Sequence, residues 1–223
     1  MLTKEQIAEN KKRFLELISS IKIEGANIEG FLRWVEHNSD FFIAPASAKY
    51  HCDYEGGLCE HSLNVYDALV KLVEQFASHF EFHQDEVAGT AEEVRINHYS
   101  EDTIKIVALL HDISKANFYE QYERNVKNEA GEWVKVKDYK TREADNRFIY
   151  GSHEQNAEYI AHTFFPLTVE EGSAILHHHA GMSWDSAKDD IGTVYGKYPL
   201  ATLLHVADMI ATFTMENRDE QTN

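Results

Sequence analysis

One helix constrains this chain more than any other feature, because it carries a histidine and an aspartate to its own apolar end. Ile104, Val107 and Ala108 recur at the spacing of a buried helical face, and Ser100 or Asp102 can cap the start. The run then closes on Leu109-Leu110-His111-Asp112-Ile113-Ser114-Lys115. His111 comes seven residues after Ile104 and so continues the inward stripe. Burying a bare imidazole and carboxylate is costly, so the pair must be hydrogen-bonded or bound to a metal. Adjacent nitrogen and oxygen donors can hold one divalent ion, or two ions that share the carboxylate. A His-Asp dipeptide is common by chance. It becomes informative when other inward stripes carry further ligands.

Several do. After Tyr54-Glu55-Gly56-Gly57, a helical face runs through Leu58, Ser62, Val65, Leu69, Leu72 and Phe76, and His61 lies beside Leu58 and Val65. Taken alone, His61 reads more plainly as a hydrogen-bonded core histidine; as a ligand it calls for a supporting carboxylate such as Glu60. Ser152-His153-Glu154-Gln155 is a capping box that sets His153 in the first turn of a helix ending before Pro166. Thr168-Val169-Glu170-Glu171 opens the next helix, which runs to His177-His178-His179 with Gly181 beyond it. Three adjacent imidazoles disfavour one another's protonation and stay available as ligands, although they can also merely offset a helix dipole. The last helix starts at Pro199 and buries Leu200, Leu204, Ala207 and Ala211, with Asp208 on that stripe and His205 beside it.

The remainder is framework. Thr3-Lys4-Glu5-Gln6 is a capping box for a first helix closed by Gly25, and a second spans about Ile28 to His37. Residues 79–97 read as a loop with room for a short helix, and their histidines carry no assigned role. Tyr122 to Val136 reads as a hairpin turning at Asn128-Glu129-Ala130-Gly131. Its Lys135, Lys137, Lys140, Arg142 and Arg147 fit either a solvated flap or a lid that steers an anionic substrate. Trp184 and Gly196 fall in a loop, and residues 216–223 read as a frayed polar end. The expectation is one all-α domain over 1–223, with its core at about 50–215 and a small β-hairpin insertion at about 118–148.

Composition narrows the function. No apolar run nears the length needed to span a bilayer and no signal peptide opens the chain, so a cytoplasmic location without membrane contact is expected. Cys52 and Cys59 match no zinc or redox motif and read as buried free thiols. A formal net charge of −17 repels polyphosphate, which argues against duplex nucleic acid as a partner.

Together, His61, His111-Asp112 and Asp208 form a histidine, a His-Asp pair and a late aspartate from three helices, each on or beside the apolar stripe. In this the sequence resembles the HD-domain metal-dependent phosphohydrolases across roughly residues 50–215. The resemblance implies an all-α HD-domain helical bundle and a divalent ion held by His61, His111, Asp112 and Asp208. The two-metal branch of that family adds His153 and two of the triple histidines; His178 and His179 are favoured because Ala180-Gly181 follows them. The Tyr54–His61 run is also similar to HD domains of certain bacterial 3′–5′ exoribonucleases and conjugative relaxases. Ser114 stands where the family's His-Asp run usually has glycine. Tyr198-Pro199 follows Lys197 rather than glycine, which departs from the cyclic-di-GMP phosphodiesterases.

Nitrogen-rich coordination suits Mn, Fe, Co, Ni or Zn better than Mg. Two ions sharing Asp112 can activate a hydroxide for in-line attack on phosphorus. Asp112 and Lys115 are then the catalytic candidates, with Lys115 on a non-bridging oxygen and His51 lining the pocket. The leading expectation is hydrolysis of a phosphoester of a nucleotide or similar small phosphorylated substrate. A single-strand nuclease, a non-catalytic metal-bound regulatory module and a di-iron oxygenase are the competing readings. The sequence leaves the native metal and the oligomeric state open.

Overall fold

The computed structural model describes residues 1–76, 82–84, 94–96, 99–179 and 191–216, with backbone only at 82–84 and 94–96. Thr3 and Gln6 exchange the two bonds of a capping box to open α1 (Lys4–Ser19). That helix stops at the Ser20 cap, short of Gly25, which instead takes φ +83° in the turn before α2 (Ile28–His37). Ile21 is buried just past the end of α1, so the apolar spacing outruns the helix. Phe14 of α1 packs on Phe41 at 4.7 Å and on Phe42 at 5.7 Å, and Phe31 of α2 meets Phe165 at 5.4 Å. These fully or largely buried rings join the first two helices to the rest of the bundle.

α3 (Gly57–Phe76) begins where the paired glycines are sterically required. Gly56 has φ +83°, and a Cβ on Gly57 would lie 2.0 Å from the carbonyl oxygen of Cys52. Gly57→Ala is therefore expected to destabilise the fold by about 1–3 kcal/mol, since the backbone that must yield is buried. Thermal unfolding should show a Tm lower by roughly 2–10 °C; an unchanged Tm would mean that the Cys52 loop yields at no cost.

α4 (Glu101–Leu110) is capped by Ser100 alone, while Asp102 accepts a bond from the amide of Lys22. The sequence pattern shows one inward face, yet every residue from Thr103 to Leu110 is buried. Helices α1, α3, α5 (His153–Phe164) and α6 (Val169–Leu176) all pack on it. Even Lys105 is inside, its stem covered and its ammonium reaching Ser20 at 2.8 Å and Glu101 at 2.8 Å. α6 and α3 also pack on α8 (Pro199–Ile210), which continues into a π-turn at Ala211–Met215.

Where a loop with room for a helix was expected, β1 (Phe82–Gln84) and β2 (Val94–Ile96) pair antiparallel. Three residues per strand are too few to give a readable alternation. Gly196 lies in a short helix, α7 (Ile191–Lys197), rather than a loop, while Trp184 and Gly181 fall outside the described residues. The expected hairpin is present and longer than its sequence signal: β3 (Tyr119–Lys127) pairs with β4 (Trp133–Thr141), and Gly131 sits at φ +79° in the turn. Four cations of the segment are held in ion pairs. Lys135 is paired with Glu123 at 2.9 Å, Lys140 with Glu120 at 2.9 Å, Arg124 with Asp138 at 2.5 Å and Arg142 with Asp40 at 2.7 Å. Residues 118–148 hold seven acidic and seven basic side chains, so the segment is neutral rather than basic. Cys52 and Cys59 are buried free thiols, as expected. No helix among the described residues is long and apolar enough to cross a membrane.

Candidate metal centre

The helices deliver their polar residues to one place. His61 lies in the first turns of α3, His111 caps the end of α4, and Asp112 precedes the 3-10 turn Ile113–Lys115. His153 is the first residue of α5, His178 and His179 lie in the turn after α6, and Asp208 is in the last turns of α8. The His61 and His111 Nε2 atoms are 3.2 Å apart. Asp112 Oδ2 lies 3.5 Å from the first and 3.6 Å from the second, and Asp208 Oδ1 is 3.3 Å from His61 Nε2. The other oxygen of Asp112, Oδ1, faces His153 Nε2 at 2.6 Å and His178 Nε2 at 3.5 Å. Asp112 thus stands between two groups of nitrogens, and His179 joins the second of them. His61, His111, Asp112 and His178 have almost no exposed surface.

What the histidines do with their other nitrogen decides how the site fits a cation. His111 Nδ1 bonds the Ala108 carbonyl at 2.8 Å and His178 Nδ1 the Ile175 carbonyl at 2.6 Å. His61 Nδ1 bonds Glu216 at 2.9 Å and His179 Nδ1 bonds Glu154 at 2.7 Å. These partners only accept, so each Nδ1 carries a proton, and each ring, when it has only that one, keeps its lone pair on Nε2. Two such lone pairs aimed at each other across 3.2 Å repel unless a proton or a metal ion lies between them. His178 Nε2, buried and aimed at the same centre, has no hydrogen-bond partner. Imidazoles anchored through Nδ1 with Nε2 converging beside carboxylates are the arrangement in which proteins hold divalent transition ions. The residues fit such an ion.

The electrostatics fit it as well. Burial alone would push the Asp112 carboxyl up, but Lys115, His111 and His153 hold it well below its usual range. Asp208 is likewise held down by His61 against the effect of burial. Burial opposes a proton on His61, yet Asp208 and Glu216 raise its pKa to about 10. His111 goes the other way: burial carries it down to about 3, despite the attraction of Asp112. Two ionised carboxylates at the centre of the site attract a cation, which is a second proton on His61 when no ion is bound and a metal ion in that proton's place.

Several placements differ from expectation. Glu60 is not the carboxylate behind His61; it accepts from Tyr54 at 2.6 Å. That role falls to Glu216, expected in a frayed end but here with a side chain 1% exposed, fixed by His61 and by Asn64 at 3.1 Å. A lone glutamate at the start of a polar tail gives no periodic signal, so only tertiary structure reveals it. His205 does not face Asp208; it bonds the His178 carbonyl at 2.6 Å. His177 turns back to the Ser173 carbonyl at 2.8 Å, which separates it from His178 and His179. Lys115 lies against Asp112 Oδ2 at 2.5 Å. The His51 ring is 4.7 Å from that of His61; its Nε2 is buried without a hydrogen-bond partner, and burial lowers its pKa to about 4.

No curated protein and no solved structure matches the chain. A family model does: the HD domain model matches residues 58–212, from the start of α3 to the π-turn after α8. The matched span contains every residue of the convergent cluster from His61 to Asp208. By its fold, its site and this match, the chain belongs to the HD domain family of metal-dependent phosphohydrolases.

Proposed function

We propose that this protein hydrolyses a phosphoester of a nucleotide or a similarly small phosphorylated substrate. In this reading His61, His111, Asp112 and Asp208 hold one divalent ion, and Asp112, His153, His178 and His179 hold a second. The observation that carries it is the set of Nε2 atoms converging on both oxygens of Asp112 while their Nδ1 atoms are anchored behind them. A bound transition ion such as Mn, Fe, Co, Ni or Zn supplies Lewis acidity at a phosphoryl oxygen and lowers the pKa of water at neutral pH. The chain's own part is to fix those ligands and to meet the substrate. Lys115, whose ammonium already neutralises Asp112, is placed to bind a non-bridging phosphoryl oxygen. His51 forms the wall beside His61.

A small substrate is favoured over a nucleic-acid strand by charge. The net charge is −17, and four of the hairpin cations that could form a track for a strand, Arg124, Lys135, Lys140 and Arg142, are paired across the ribbon or with Asp40.

Glu216 should matter to the first ion although it does not touch it. Glu216→Ala removes the acceptor that holds His61 Nδ1–H, and metal affinity is expected to fall by about 10–100-fold. Titration with Mn in a competitive chelator assay measures this, and wild-type affinity in the variant would remove Glu216 from the site.

The test of the whole reading is a screen of nucleotides, cyclic nucleotides, simple phosphomonoesters and short oligonucleotides with Mn, with phosphate or nucleoside release as readout. Turnover of a mononucleotide or small phosphoester in preference to oligonucleotides is expected. Preferential cleavage of single strands would overturn the substrate assignment. Metal binding without release from any substrate would make the protein a regulatory module.

A further inference from the structure

The Nδ1 partner of His153 differs in kind from those of the other site histidines. His61 and His179 are backed by carboxylates, and His111 and His178 by backbone carbonyls, all of which can only accept. Behind His153 stands a hydroxyl: Ser114 Oγ is 2.6 Å from Nδ1 and also 3.0 Å from the backbone oxygen of His153 itself. Ser114 is buried in the 3-10 turn between Asp112 and Lys115, and the two ends of the contact are otherwise packed together by α5 lying on that turn.

A hydroxyl has one proton to give and lone pairs to receive another. When the Ser114 hydroxyl donates to the His153 carbonyl, its oxygen is free to accept from Nδ1–H, and Nε2 is left with a lone pair facing Asp112 Oδ1 at 2.6 Å. When the hydroxyl turns to donate to Nδ1, the ring proton sits on Nε2 and is given to Asp112 instead. The second arrangement leaves no buried group unpaired without an ion, and the first becomes sound once an ion lies between Nε2 and Asp112 Oδ1. The four other rings have no such choice, because moving their proton to Nε2 would set a lone pair against an acceptor. Of the five proposed ligand histidines, His153 alone can exchange between ligand and hydrogen-bond donor to Asp112.

Resting on the two-ion reading above, we propose that Ser114 is a positioning residue that acts through His153. Its hydroxyl accepts Nδ1–H when the ion on the Asp112 Oδ1 side is bound, and takes the opposite role when that ion is absent. The consequence is a split site. The ion held by His61, His111 and Asp208 rests on locked rings and fills first, whereas the ion on the His153 side binds more weakly and depends on Ser114.

Calorimetric titration of the full chain with Mn and, separately, Zn tests this. Wild type should bind two equivalents in two resolved steps. Ser114→Ala should weaken the second step by about 10–100-fold, the range for losing a group that orients a metal-bound histidine, and leave the first unchanged. Ser114→Thr, which keeps the hydroxyl, should restore it. In the Zn-loaded protein, nitrogen-15 spectra of the histidines should show His153 protonated at Nδ1 in wild type and Ser114→Thr. An Ala variant with an unchanged second step, or with both steps weakened alike, would overturn the role of Ser114. Wild type binding no metal would instead sink the metal-centre reading, and a single equivalent would sink its two-ion form. These outcomes are separable from the effect of Ser114.

Discussion

Asp112→Asn is expected to lower kcat/KM for phosphoester hydrolysis by about three orders of magnitude or more, the largest effect of any single substitution in this chain. No other side chain meets so much of the site. Its two oxygens lie against His61, His111 and Lys115 on one side and His153 and His178 on the other. The amide keeps the shape but loses the charge, and it can offer only one oxygen, so at most one ion keeps its carboxyl ligand. The same change leaves the Lys115 ammonium, itself only 12% exposed, without its counter-charge. Breaking a buried pair from one side typically costs about 3–5 kcal/mol, so the single variant should also unfold at lower temperature. Adding Lys115→Met separates the two effects. The double variant should recover much of the lost stability and none of the activity. Retention of more than about a tenth of wild-type activity by Asp112→Asn would show that the carboxylate does not organise catalysis.

Saturating metal should raise the Tm by about 5–10 °C. An ion that binds only the folded state stabilises it by mass action, about 2.7 kcal/mol at a hundredfold excess over Kd. For a chain of this size each kcal/mol moves Tm by about 2–4 °C. The direction follows from the site: Asp112 and Asp208 are both held ionised in a buried centre, and a divalent charge between them relieves their repulsion. Differential scanning fluorimetry with Mn, Ni, Zn and Mg checks it. Mg should give the smallest shift because imidazole nitrogen is a poor ligand for it. Equal shifts for all four ions, or none, would mean that the nitrogens do not bind metal.

Most of the cluster could be read from the sequence because its members sit on patterned elements. His61, His111 and Asp208 each continue an apolar stripe, and His153 falls inside a capping box, so periodicity and caps locate them without any structure. The acceptors behind the rings were not legible in the same way. Glu216 lies 155 residues from His61, and no local rule links a tail glutamate to a helix begun at Gly57. Glu60 was the nearer acid but the wrong one, since its position on α3 turns it to Tyr54. The hairpin reads as a basic patch only when its cations are taken without the seven acidic residues among them, with which three of the four paired cations are engaged. Ser114 looked like a departure from a familiar motif, and only the packing of α5 on the 3-10 turn shows what its hydroxyl touches.

The long separation between His61 and Glu216 also bears on how the protein matures. The ligands are drawn from both ends of the matched span, so neither ion's full set exists until distant segments have met. Bringing His61, His111 and Asp208 together means closing loops of 50 residues and more, an entropic cost met by the burial of apolar side chains such as Leu58, Leu109 and Leu204. The metal therefore enters a cavity that the polypeptide has already built. A cavity built in advance then discriminates among ions by its fixed, nitrogen-rich donors rather than by refolding around each one.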